Sequence, residues 1–312
     1  FIGSATIGMD HIDTDALERL SIPFTNAAGC NAESVVDYTL AAVVSHCHRR
    51  GIDPSRLDFG IIGAGNVGGR LANRLTQLGV NVLLSDPPRA ETAPTFEDTP
   101  LALLLNKSDV VCCHLPMTHQ GRYPTNALLT EALLSQLKTG ALFVNAGRGP
   151  TVDAAGLLRV ANNRPDISLV LDVWENEPKV EPLLAARSLI ATPHIAGYSL
   201  EGKLRGTYLL YLHYCQLVGC RPDISFDSIL PEVEIPNVTI GPHTTAYELI
   251  KTVYDIKQDD QRLRDSLVED PTEQAFRFDQ LRKQYPVRRE FSALPLTGTA
   301  TANQRTLFQA LG

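Results

Sequence analysis

Apolar positions follow one rhythm through the middle of this 312-residue chain and another at its ends. Between residues 59 and 191, short apolar runs alternate with stretches at helical spacing. Strands are expected at 59–62, 80–85, 110–115, 141–145, 168–172 and 188–191, with helices at 67–78, 101–106, 130–137 and 154–162. Near-continuous apolar strands of this length are buried on both faces, and their alternation with helices specifies a parallel sheet. The predicted fold class is α/β, a doubly wound parallel sheet of the Rossmann kind with helices on both faces.

The flanks differ. Residues 1–31 hold two short apolar pieces, at 1–2 and 22–25, between turn-forming residues. Residues 32–48 place Val35, Val36, Leu40, Val43 and Val44 near helical spacing, and Gly51 and Pro54 mark the end of that helix. A further helix at 200–218 stops before Arg221-Pro222. From 228 onward the chain changes character: a Pro-punctuated strand-like piece at 231–240 precedes charged helical stretches near 244–267 and 271–284. Tyr247, Leu249, Ile250, Val253 and Tyr254 fall on one apolar face. The expected division is 1–31, part of a substrate lobe; 32–198, a dinucleotide domain; 199–227, a helix returning to the lobe; and 228–312, a small α+β domain.

Composition narrows the class. A net charge of -7 offers no general attraction to nucleic acid. No apolar run reaches the ~18–20 residues of a membrane span. The six cysteines form no CxxC pair, and Cys112 and Cys113 sit within an apolar run, so reduced thiols in a cytoplasmic protein are expected, with no metal.

The strand-like stretch Phe59-Gly60-Ile61-Ile62 runs into Gly63-Ala64-Gly65-Asn66-Val67-Gly68 at a helix start. Gly63 permits the tight turn, Gly65 a close backbone approach to pyrophosphate, and Gly68 close helix–strand packing. The helix N-terminus, with Asn66 and Val67, offers free N–H groups to phosphate. Asp86 lies 18 residues after Gly68 and ends the next strand. There a carboxylate accepts from ribose hydroxyls and repels a 2′-phosphate, so NAD is the expected cofactor, with Arg89 leaving NADP open.

Three more segments end predicted strands: Asn145-Ala146-Gly147-Arg148-Gly149, Asp172-Val173-Trp174-Glu175-Asn176-Glu177-Pro178 and Pro193-His194-Ile195-Ala196-Gly197. Singly, each reads as a surface arginine, a solvated carboxylate or a loop histidine. Together they supply what oxidation of a 2-hydroxy acid needs. An imidazole (His194) takes the hydroxyl proton, a carboxylate (Glu177) holds that ring, and a two-pronged cation (Arg148) takes the substrate carboxylate.

In that order the motifs resemble the D-isomer-specific 2-hydroxyacid dehydrogenases over about residues 1–220. The resemblance implies that Arg148, Glu177 and His194 are catalytic. It also implies that Asp172 lies near the nicotinamide and that Ala146, Gly147 and Gly197 contact the cofactor. The stretches Gly3-Ser4-Ala5-Thr6-Ile7-Gly8-Met9-Asp10-His11, Gly29-Cys30-Asn31-Ala32 and Ala196-Gly197-Tyr198-Ser199 narrow the likeness to one branch of the family. So do Leu281-Arg282-Lys283-Gln284-Tyr285-Pro286 and Arg288-Arg289-Glu290-Phe291. That branch acts on a phosphorylated 2-hydroxy acid, with Thr6 and Tyr198 against the substrate, and is a homodimer through its C-terminal domain. The family carries about twice as much chain ahead of the dinucleotide motif, so the flavodoxin-like substrate lobe is expected to be incomplete here. Three other readings stay open: a relative acting on phosphoglycerate, glycerate or lactate; a non-catalytic NAD-sensing protein; and an inactive fragment.

Overall fold

The computed structural model describes residues 1–9, 12–232, 238–301, 304, 305 and 308. The chain opens with β1 (Ile2–Ser4), α1 (Thr14–Arg19) and β2 (Phe24–Asn26), β1 and β2 forming a small parallel pair. Asp10 and His11 of the opening motif lie outside the described residues. Then comes α2 (Ala32–Arg50), closed by Gly51 in the left-handed region at φ 65°. Only glycine takes that conformation at little cost, so the predicted stop falls at the glycine rather than at Pro54.

The sheet domain follows as β3 (Phe59–Ile62), α3 (Asn66–Gln77), β4 (Val82–Ser85), α4 (Pro87–Thr92), α5 (Leu101–Lys107), β5 (Val110–Cys113), α6 (Glu131–Leu134), β6 (Leu142–Asn145), α7 (Ala154–Asn163), β7 (Ser168–Leu171), α8 (Pro182–Arg187) and β8 (Ile190–Ala191). All six strands are parallel in the order β4-β3-β5-β6-β7-β8. Strand order reverses beside β3, and the crevice at such a switch point is where open α/β sheets hold ligands. The four residues of β3, of β5 and of β6 are buried throughout, as strands covered on both faces must be. One core packs α2 and α3 on the sheet through Val36, Tyr38, Val43, Leu71 and Leu75. The opposite core draws on α5, α6 and α7 through Leu104, Leu105, Leu134 and Leu157.

Helix α9 (Leu200–Val218) matches its sequence prediction, starting at the Ser199 cap and ending at Gly219 with φ 70°. Beyond it come α10 (Phe226–Ile229), β9 (Val238–Ile240), α11 (Ala246–Val253), α12 (Ile256–Ser266), α13 (Pro271–Lys283) and β10 (Leu296–Gly298). Several expectations change here. Of the predicted strand at 231–240, only β9 is seen, and residues 233–237 lie outside the described ones. The helical stretch at 244–267 is two helices, because the Asp255 side chain accepts from the Lys257 N–H and restarts the turn. The helix expected at 130–137 shrinks to four residues, since 138–141 turn back to feed β6.

The C-terminal region shares its cores with the sheet domain. Leu249, Ile250, Tyr254 and Phe291 join the cluster of α2, and Leu263 and Phe278 join the opposite one. The apolar face read from the sequence is thus covered within the chain. A polar network fastens the same region. The Glu290 carboxylate, with 2% of its side chain exposed, accepts from Ser34, from Ser199 and, at 2.9 Å, from Arg205. Arg289 pairs with Glu201, and the Phe291 N–H donates to Asp37 at 2.8 Å. Removing one member of a buried charged network leaves the others unpaired. Glu290→Ala is therefore expected to cost about 3–5 kcal/mol of stability. Urea denaturation measures this, and a loss under about 0.5 kcal/mol, the usual effect of a surface substitution, would make the network incidental.

Candidate active site

A cleft of about 780 Å³ opens above the carboxyl ends of β3, β5, β6 and β7, within the size range of ligand sites. Its floor is the turn between β3 and α3. Gly63 sits at φ 88°, and a Cβ there would lie 2.9 Å from the His114 carbonyl; one on Gly68 would lie 2.0 Å from the Gly63 carbonyl. At Gly65 a Cβ would meet nothing within 4 Å, so the cleft side of the turn is open. Gly65 and Asn66 are exposed, and no side chain caps the N-terminus of α3. Free helical N–H groups over an open glycine turn fit a diphosphate.

Asp86 ends β4 as predicted. Its carboxylate accepts from the Ala64 N–H at 2.8 Å and from the Arg89 N–H at 3.1 Å, which ties the glycine turn to α4. An ionised carboxylate has about four acceptor positions, so capacity for ribose hydroxyls remains. Arg89 is engaged locally: its guanidinium donates to the Ala64 carbonyl and lies 5.1 Å from the centre of the Phe96 ring. These residues fit NAD.

The three strand-end motifs converge on the cleft. His194 Nδ1 lies 2.6 Å from Glu177 Oε2, which leaves Nε2 as the nitrogen for another partner. Burial pushes the Glu177 carboxyl up, but the hydrogen bond and charge of His194 outweigh it and hold the group below the usual range. The second Glu177 oxygen accepts from the Trp174 N–H at 2.9 Å. Arg148 lines the cleft and donates through Nη1 to the Gly147 carbonyl at 2.9 Å. Among the described residues it has no ion pair, so its remaining N–H groups are available to an anion.

His194 has φ 57°, the left-handed region, which costs a non-glycine residue of order 1–3 kcal/mol. Asp172 holds it there. Its buried carboxylate accepts from Thr192 Oγ1 at 2.7 Å, Ile195 N–H at 2.8 Å and Ala196 N–H at 2.9 Å, and its carbonyl from His194 N–H at 2.8 Å. Burial raises the Asp172 pKa, against the pull of His194 and these donors. Sequence reading placed Asp172 beside the cofactor; it does line the cleft, and it also braces the histidine loop.

Ala146, Gly147, Gly197, Asn66 and Val67 line the cleft, and so do Thr6 and Tyr198. Thr6 is turned into its own loop, 2.6 Å from Ser4 Oγ and donating to the Gly8 carbonyl. Asn31, His114, Lys203 and Arg282 also line the cleft without having been read as site residues, although Asn31 and Arg282 stand in stretches that narrowed the family likeness. Burial pushes the His114 pKa down to about 4, and neither ring nitrogen has a partner among the described residues. The strand expected at 110–115 stops at Cys113, which puts His114 at the sheet's ligand edge rather than within the strand.

Residues 34–196 match the family model of the D-isomer specific 2-hydroxyacid dehydrogenase, NAD binding domain. Residues 229–312 match a domain of unknown function. Erythronate-4-phosphate dehydrogenase of Pseudomonas aeruginosa is 42% identical over all of this chain and 83% of its own length. That of Proteus mirabilis is 43% identical over 94% of this chain and 78% of its own. Among solved structures, D-lactate dehydrogenase from Aquifex aeolicus, complexed with NAD and lactic acid, aligns at TM-score 0.55 and 26% identity, covering 70% of this chain and 76% of that one. The NAD+-bound 3-phosphoglycerate dehydrogenase of Entamoeba histolytica gives 0.59 at 22% identity over 70% and 72%, a likeness of fold. The chain belongs to the D-isomer-specific 2-hydroxyacid dehydrogenases, NAD-dependent oxidoreductases, with the Rossmann fold read from its sequence. Within that family it falls among the erythronate-4-phosphate dehydrogenases.

The Glu177–His194 contact generates a pH prediction. The depressed Glu177 pKa means the carboxylate is charged throughout the range where imidazole titrates, so it favours the protonated ring. Glu177→Gln removes that charge, and the acid limb of the kcat/KM profile is expected to move to lower pH. An unmoved limb would show that Glu177 does not act on His194.

Proposed function

We propose that the chain oxidises 4-phospho-D-erythronate at C2 to the 2-oxo acid with NAD, a step of pyridoxal 5′-phosphate synthesis. The observation that carries the reading is the convergence of His194, Glu177 and Arg148 on one cleft beside an open glycine turn. The relatives' names supply the particular acid. Arg148 orients the substrate carboxylate, and His194 Nε2 takes the C2 hydroxyl proton while Glu177 stabilises the imidazolium. Bound NAD supplies the acceptor for the hydride leaving C2. Ala146, Gly147, Asp172 and Gly197 line the cofactor's side, Gly63, Gly65, Asn66, Val67, Gly68 and Asp86 hold its diphosphate and ribose, and Tyr198 and the loop that carries Thr6 border the substrate.

The homodimer and the cytoplasmic location belong to the same proposal. Phe276 and Val287, exposed on the C-terminal region, supply apolar surface for a second copy. No described helix is long and apolar enough to cross a membrane.

Two measurements test the reading. With NADH absorbance as the readout, 4-phospho-D-erythronate should exceed D-3-phosphoglycerate and D-lactate by at least tenfold in kcat/KM, ~1.4 kcal/mol of transition-state discrimination. The reverse order would remove this substrate and leave the class intact. Arg148→Lys should lose on the order of 10²-fold despite keeping its charge, because a point charge cannot reproduce a planar fork on a carboxylate. Wild-type turnover would take Arg148 out of the site.

A further inference from the structure

Arg148 is one of three cationic side chains that line the cleft; the other two are Lys203, on α9, and Arg282, on α13. Lys203 Nζ lies 4.9 Å from the centre of the Tyr198 ring and Arg282 Cζ 5.9 Å from it, so both charges gather at one aromatic side chain, four residues beyond His194. Neither cation has an ion pair among the described residues. Arg262, Arg264, Arg277 and Arg289 are each ion-paired, and Arg288 donates to the Ala196 carbonyl. The Arg282 side chain makes no hydrogen bond among the described residues, and its Nε is buried without a partner.

A desolvated donor on a permanent cation is costly to leave unmade, and an anion that reaches it recovers that cost. A substrate with a carboxylate at one end and a phosphate at the other needs a second cationic site, because Arg148 serves the carboxylate. We propose that Lys203 and Arg282 form the phosphate-binding end of the cleft. The C-terminal domain, for which its family model gives no function, thereby completes the substrate site of its own chain. The inference rests on the phosphorylated substrate proposed above. Tyr198 is the platform that keeps the two cations together, and its hydroxyl, unpartnered among the described residues, faces the same ligand.

The test compares phosphorylated and unphosphorylated substrates in the full chain. For Arg282→Met and Lys203→Met, kcat/KM with 4-phospho-D-erythronate should fall roughly 10–100-fold, mostly through KM, the range set by one charge-assisted hydrogen bond. kcat/KM with D-erythronate should stay within about twofold, and inorganic phosphate should lose potency as a competitive inhibitor. Arg282→Lys should recover part of the loss. NADH fluorescence titration checks that each variant retains its cofactor site. Lys203 is exposed on α9, so its variant carries the test if Arg282→Met fails to fold. An equal loss with both substrates, or no loss with either, overturns the phosphate site while the wild type still prefers the phosphorylated acid. A wild type with no such preference overturns the substrate reading itself, and this inference with it.

Discussion

One buried carboxylate holds the chemistry in place. Asp172 follows β7, and its carboxylate receives three hydrogen bonds from a five-residue stretch, 192–196, that would otherwise have no reason to adopt its path. The bond from Thr192 extends outward, since Tyr38 of α2 lies 2.8 Å from the same hydroxyl and Trp174 Nε1 donates to the Thr192 carbonyl at 3.0 Å. Each contact is worth little net, about 1 kcal/mol, but together they over-determine the loop and sustain the left-handed His194. The result is an imidazole whose position is fixed by the sheet rather than by the ligand. Preorganisation of this kind is what a proton acceptor needs, because its alignment must not be re-established at every turnover.

The parallel sheet and the three strand-end motifs were legible because each has a strong local signature: apolar runs of four or five residues, a glycine turn, and polar residues at strand ends. The span of helix α9 was read to the residue, although its stop was assigned to Arg221-Pro222 and the caps prove to be Ser199 and Gly219. What escaped is what tertiary contact decides. The short helices α1, α4 and α8 hang on single caps, Asp13, Asp86 and Glu181, whose acceptor role exists only once the turn forms. Asp86 shows how one residue hides a second task, since it was read as a ribose ligand and also caps the N-terminus of α4. Lys203 carries no local signal, and Arg282 stands in a stretch that marked the family branch without marking a site. They are 79 positions apart in sequence and meet only because α13 packs against the sheet domain. The apolar face of α11 was seen correctly, but its partner, α2, is nearly 200 residues away and could not be inferred from periodicity.

The long reach of the C-terminal segment bears on how the protein is made. Asp37 receives the Phe291 N–H across 254 positions, and the Ser34 carbonyl faces Arg288 across the same span. At synthesis rates of roughly 5–20 residues per second, on the order of 10–50 s separates the emergence of these partners from the ribosome. The sheet closes on one side of α2 once residue 191 has been made, but the face of α2 that meets α11 and the acids beside it stay uncovered until α11 and then residue 291 emerge. The nucleotide domain is therefore assembled early but finished last. It is during this interval, rather than in the finished fold, that the chain has most need of a chaperone.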